Sequence, residues 1–88
     1  MITVLILTEK LSMNEKVAAS IIGGFSGGAT IISLTEAEDT ETIILDEKKN
    51  IDIFILQVNM KQKGGFKFAA WIREIKRYQG TPVLFITP

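Results

Sequence analysis

Neither cysteine nor histidine occurs anywhere in this chain of 88 residues. The first absence rules out disulfides and thiolate metal sites, and the second removes the commonest metal ligand and general base. Zinc hydrolysis and a Ser-His-Asp triad cannot be assembled from what remains. Long apolar runs are also missing, and none nears the roughly 18 residues that a membrane-spanning helix needs. Met1 passes directly into a strand-like run with no basic stretch or small-residue cleavage site. A secretory leader is therefore not expected, and the cytoplasm is the expected location. Formal net charge is zero as well, but the charges are unevenly spread. Glu36 to Asp52 carries seven acidic residues against Lys48 and Lys49, and Lys61 to Arg77 carries six basic residues against Glu74. Such blocks suit two neighbouring helices that solvate each other. A basic face for nucleic acid would want aromatics interleaved with the basic residues, and they are not there.

What is present is a regular alternation. The length is that of one small domain, near the size where a single core just suffices. Ile2-Thr-Val-Leu-Ile-Leu7 is an apolar run of strand length, as expected for a strand buried on both faces. Ser12-Met-Asn-Glu15 fits a capping box, and Val17, Ala18, Ile21 and Ile22 follow at helical spacing. Ala29 to Leu34 reads as a second strand. Asp39 or Thr40 can cap a second helix running through Lys48, and Asn50 closes it. Ile53 to Leu56 is a third strand. Phe66 to Tyr78 is a third helix with Phe66, Ala69, Ile72 and Ile75 inward, and Gly80 ends it. Pro82 opens a fourth strand, Val83 to Ile86, at a position where a missing N–H is tolerated. This β-α-β-α-β-α-β order implies a parallel sheet with right-handed crossovers and helices on both faces.

The segment Gly23-Gly-Phe-Ser-Gly-Gly28 resembles a phosphate loop only in composition. A dinucleotide fingerprint places its glycines after a strand and at the start of a helix, where helix N–H groups meet the phosphate. These glycines follow a helix and precede a strand. They are read as a helix stop and a flexible return, with Phe25 tucked into the core edge.

The most informative stretch is Ile51-Asp-Ile-Phe-Ile-Leu-Gln57-Val-Asn59, followed by Lys61 and the pair Gly64-Gly65 before Phe66. An apolar run ends in a polar residue, at the strand end where open α/β sheets place their sites. Together with Thr81-Pro82-Val-Leu-Phe-Ile-Thr87, it resembles the receiver domain of two-component response regulators. The resemblance runs along the whole chain and is best from Ile51 through Thr87. It implies a three-layer α/β sandwich of flavodoxin-like type, with strand order 2-1-3-4 and the fifth strand and last helix absent. The core would then hold Val4, Leu5, Ile6, Ile32, Ile53, Ile55, Leu56, Leu84 and Phe85. Residues 1–88 would form the N-terminal part of a longer regulator.

The same resemblance marks a degenerate phosphorylation pocket. The family's acidic pair falls on Thr8 and Glu9, its phosphoacceptor aspartate on Gln57, and its metal-binding backbone carbonyl on Asn59. Lys61 stands where a proline is customary, and Thr87 matches the switch hydroxyl, with Pro88 after it favouring extended backbone there. An amide cannot form the acyl phosphate, and Glu9 beside Lys61 and Lys63 makes a poor Mg²⁺ site. The implied function is a non-catalytic pseudo-receiver that works by protein contact with an output domain, a sensor kinase or itself. The alternatives are a receiver phosphorylated at Thr8 or Thr87, or a small nucleotide-binding flavodoxin-like domain. The second of these lacks a glycine in Thr8-Glu-Lys-Leu-Ser12. Val83 and Phe85 on an open fourth-strand edge, and an exposed Trp71, are the candidate interaction surface, with a homodimer as the expected product.

Overall fold

The computed structural model describes every residue except Ser26, Gln62 and Pro88. Its elements are β1 (Ile2–Leu7), α1 (Leu11–Ile22), β2 (Ala29–Leu34), α2 (Ala37–Leu45), β3 (Ile53–Gln57), α3 (Gly65–Glu74), a 3-10 turn at Lys76–Tyr78 and β4 (Val83–Ile86). All strand pairings are parallel and the order is β2-β1-β3-β4, as expected. No described helix is long and apolar enough to cross a membrane.

The continuous apolar run of β1 is explained by its central position. Successive side chains point to opposite faces, so a strand covered on both sides must be apolar throughout. Leu5 and Leu7 join Phe54 and Leu56 of β3 beneath Ile44 of α2 and Phe68 and Ile72 of α3. Val4, Ile6 and Ile55 point the other way and meet Val17, Ala18 and Ile21 of α1. One face thus carries two helices and the other carries one.

The elements begin and end differently from the sequence pattern in several places, and each shift has a tertiary cause. α1 starts at Leu11, and Lys10, in extended backbone, stands at its N-cap without a side-chain cap. Ser12 is exposed inside the first turn, so the capping box does not form. Asn14 decides the matter. It is fully buried, its Nδ2 donates to Ser33 Oγ at 2.8 Å and to the Leu34 carbonyl at 2.9 Å, and its Oδ1 accepts from the Thr8 hydroxyl. Those bonds dock the start of α1 against the ends of β1 and β2. Ile21 takes the inward place at the far end, leaving Ile22 52% exposed, and Phe25 is likewise exposed rather than tucked into the core.

α2 begins after Glu36, with Asp39 and Thr40 inside it, and Thr40 Oγ1 donates back to the Glu36 carbonyl at 2.8 Å. It stops at Leu45 instead of Lys48. The Arg77 guanidinium collects the carbonyls of Ile44 (3.1 Å), Asp46 (2.6 Å) and Glu47 (3.0 Å), satisfying oxygens that a helix end leaves unpaired. The opposite charge blocks meet more through such carbonyls than through ion pairs. Among the described residues, Lys63 to Glu41, at 3.1 Å and partly exposed, is the ion pair between them.

α3 runs from Gly65 to Glu74, and the chain is extended at Ile75 before the 3-10 turn. Its inward stripe is Gly65, Phe68 and Ile72, at the i, i+3, i+7 spacing of one helix face. Phe66 was expected inward but is 62% exposed. Gly65 lies so close to the end of β3 that a Cβ there would stand 2.5 Å from the Gln57 carbonyl oxygen. With Gly65 facing the sheet, the next residue is rotated about 100° away.

Two further expectations about burial fail for one reason. Leu84 is 54% and Phe85 41% exposed, because β4 is the sheet edge and neither helix layer reaches over it fully. Ile32 and Ile53 are only partly buried. Trp71, expected as an exposed indole, is half-buried against the core. Its ring is edge-on to Phe68 at 5.9 Å, and Lys63 Nζ lies 5.3 Å from its centre.

The start of α1 yields a direct test. Asn14→Ala should cost about 2 kcal/mol, from buried partners left without hydrogen bonds. That corresponds to a fall in Tm of roughly 10 °C for a domain of this size. Ser12→Ala should change stability by no more than about 0.5 kcal/mol. Thermal unfolding followed by circular dichroism measures both, and equal losses would restore the capping box.

Candidate functional site

The site lies at the carboxyl ends of β1 and β3, where the polar residues following each strand meet. Gln57 closes β3 and is 3% exposed. Its Oε1 accepts the Glu9 backbone N–H at 2.9 Å. Its Nε2 donates to the Asn59 carbonyl at 2.6 Å and to Glu9 Oε1 at 3.3 Å. The orientation of the amide is dictated by these partners. Turned over, its NH₂ would face another N–H, and its oxygen would face a carbonyl and a carboxylate.

Glu9, Gln57 and Asn59 therefore form one hydrogen-bonded cluster. Thr8 and Thr87 do not join it. Thr8 is fully buried and turned toward α1. Its hydroxyl serves Asn14 Oδ1 and the Lys10 carbonyl (2.8 Å) and accepts the Lys10 N–H (3.2 Å). Thr87 is exposed on a different groove of about 500 Å³, with Lys10, Ser12, Met13 and Lys16. Pro88, expected to extend the backbone at Thr87, lies outside the described residues.

The loop from β3 to α3 is held by its backbone. Gly65 N–H donates to the Val58 carbonyl at 3.1 Å, and a Cβ on Gly64 would come within 2.8 Å of that same oxygen. This tight return presents the Asn59 carbonyl to the Gln57 amide. Above it opens a cavity of about 620 Å³ lined by Glu9, Asn59, Met60, Lys61, Phe66 and Lys67 among others. Lys10 and Lys61 border a smaller cavity of about 430 Å³ that reaches Gln57 itself.

A receiver's chemistry needs a divalent cation, so the donor set matters. By the resemblance, the oxygens left for a cation are the Glu9 carboxylate and the Asn59 carbonyl. Both already accept hydrogens from Gln57 Nε2. A cation between them would meet amide N–H groups instead of oxygen lone pairs, with Lys61 alongside. Among the described residues no group of three or more acidic residues is placed to hold a metal. The residues do not fit Mg²⁺.

Sequence reasoning missed Asn14, although a signal existed. An asparagine at the head of the stripe formed with Val17, Ala18 and Ile21 is an inward polar residue that must find partners. It also missed Lys10, whose place beside the cluster depends on where β1 ends relative to β3.

No protein-family model matches the chain, and no curated protein matches it. Among solved structures, the chemotaxis protein CheY4 of Vibrio cholerae superposes with a TM-score of 0.75 at 26% sequence identity. The match covers 97% of this chain and 67% of that one. CheY4 is a receiver domain, and the four-stranded parallel sheet with three helices is the receiver-type, flavodoxin-like arrangement. A fold of that class is that of a signalling module.

The cluster predicts an unusual response to substitution. Gln57→Glu places a carboxylate against the Glu9 carboxylate and the Asn59 carbonyl, all acceptors. In metal-free buffer it should lower Tm more than Gln57→Ala does. Millimolar Mg²⁺ should raise the Tm of Gln57→Glu by several degrees through preferential binding to the folded state, while leaving the native chain unmoved. A thermal-shift series with and without Mg²⁺ measures this, and a Mg²⁺ response in the native chain would contradict the donor analysis.

Proposed function

We propose that this chain is a pseudo-receiver: a non-catalytic module of a two-component-type response regulator, acting through protein contacts without aspartate phosphorylation. The observation that carries the reading is the Gln57 amide, hydrogen-bonded to Glu9 and to the Asn59 carbonyl. Phosphoryl uptake as an acyl phosphate requires a carboxylate nucleophile, and a cation to offset the charge on the transferring group. Gln57 offers no carboxylate. Its NH₂ occupies the oxygens that a cation would need. The pocket then serves as a fixed polar joint between β1, β3 and the loop into α3, and its partners are an output domain, a sensor kinase or a second copy. A cytoplasmic setting and the N-terminal position in a longer regulator belong to the same proposal.

The rival readings have less support. Phosphorylation at Thr8 would require a fully buried hydroxyl that already serves Asn14 and Lys10. Nucleotide binding would want a glycine-bearing loop after β1, and Thr8 to Ser12 contains none.

Incubation with acetyl phosphate and Mg²⁺, followed by intact-mass measurement, tests the proposal. The mass should not change, and Gln57→Asp should not gain an adduct either, since one acidic residue of the pair is missing. A phosphate adduct on the native chain, at Thr87 or anywhere else, would overturn the pseudo-receiver reading.

A further inference from the structure

The seam between α2 and α3 carries charges that the chain does not neutralise within itself. Glu38, Glu41 and Leu45 fall at i, i+3, i+7 along one side of α2. That side faces α3, because the Lys63 ammonium paired with Glu41 lies over the Trp71 ring. Further along, Leu45, 60% exposed, lines a groove of about 280 Å³ with Ile75 and Lys76. On α3, Lys67 stands one turn before Trp71 and on the same side. Glu38 and Lys67 are exposed, and among the described residues neither has an ion-pair partner. The seam thus presents an unpaired acid on one wall, an unpaired base on the other, and an apolar patch below them. Because α2 joins β2 to β3 and α3 joins β3 to β4, the β4 edge lies beyond α3 and away from this seam.

We infer that this seam docks a second copy of the chain about a two-fold axis running along the helices, with α2 of each copy against α3 of its partner. The inference rests on the reading of the chain as a protein-contact module and names the partner. Charge selects the axis. A two-fold axis running across the helices would lay α2 on α2, acid against acid, and opposed like charges cost binding. An axis along them lays each acidic α2 on a basic α3. Both helices start at the carboxyl end of the sheet, and Glu38 and Lys67 each lie in a first turn. Each Glu38 therefore stands level with Lys67 of the partner subunit. Leu45, about 10 Å further along α2, comes level with the partner's Trp71 and the partner's Ile75. The contact is made twice, with an ion pair above an apolar patch each time. Exposed ion pairs add little strength but fix the register, so the dimer is weak, reversible and sensitive to salt.

Charge exchange between two variants tests the register. Sedimentation of the native chain from micromolar to millimolar concentration in low salt should show a monomer–dimer equilibrium. About 1 M NaCl, which screens charges beyond roughly 3 Å, should shift it toward monomer. Glu38→Lys and Lys67→Glu should each be monomeric alone, because each then opposes like charges at both contacts. Mixed in equal amounts they should form a heterodimer, in which both contacts again pair opposite charges. Both positions are exposed, so the circular dichroism of each dilute variant should match that of the native chain. The salt series reads the same contact without any substitution. A native chain that stays monomeric at millimolar concentration would overturn the contact and leave the seam to a different protein. Dimerisation of either variant alone, or a mixture that stays monomeric, would overturn the register. Phosphate uptake in the mass experiment would remove the pseudo-receiver reading without touching this contact, so the two failures are distinct.

Discussion

Much of this structure depends on the close approach of the first residue of α3 to the last residue of β3. Gly65 packs its backbone against the Gln57 carbonyl at a distance that no side chain would allow. That contact sets the rotation of α3, which sends Phe68 and Ile72 into the core and turns Phe66 outward. It also shortens the return from β3, so that the Asn59 carbonyl comes back over the strand end and meets the Gln57 amide. Core packing, loop geometry and the polar cluster share one steric cause.

Two polar joints organise the carboxyl end of the sheet, and they divide the labour. Thr8 with Asn14 ties β1 and β2 to α1 on one face. Gln57 with Glu9 and Asn59 ties β1 and β3 to the loop leading into α3. Buried polar atoms are costly unless paired, and no buried side-chain nitrogen or oxygen among the described residues is left without a partner. The carboxyl end of the sheet is thus satisfied by its own side chains.

The layers are unequal, and the inequality sets where surface is left over. α2 and α3 cover one face, held together by Arg77 on the end of α2 and by Lys63 lying between Glu41 and the rings of Phe68 and Trp71. α1 alone covers the other, over β1 and β2. Strand β4 therefore keeps apolar side chains exposed on both sides. Trp71, half-buried, contributes to the core more than to any outer surface.

The alternation of apolar runs and amphipathic segments was enough to determine the parallel sheet, its strand order through the family resemblance, and the double burial of β1. Periodicity reports burial directly, and Val4 to Leu7 has no polar residue to spare for solvent. The identity of Gln57 likewise determined that no carboxylate stands at the end of β3. Tertiary structure alone decided the rest. The start of α1 moved because Asn14 outcompeted Ser12, and its partners Ser33 and Leu34 lie on another strand. Which phenylalanine enters the core was decided by the fit of Gly65 on a carbonyl. Which polar residues form the site was decided by which side of a strand end each one faces. Glu9, Gln57 and Asn59 converge, whereas Thr8 turns to α1 and Thr87 to a separate groove. Local pattern encodes how much of a residue is buried, but not against what, because its partner is chosen by chain segments distant in sequence.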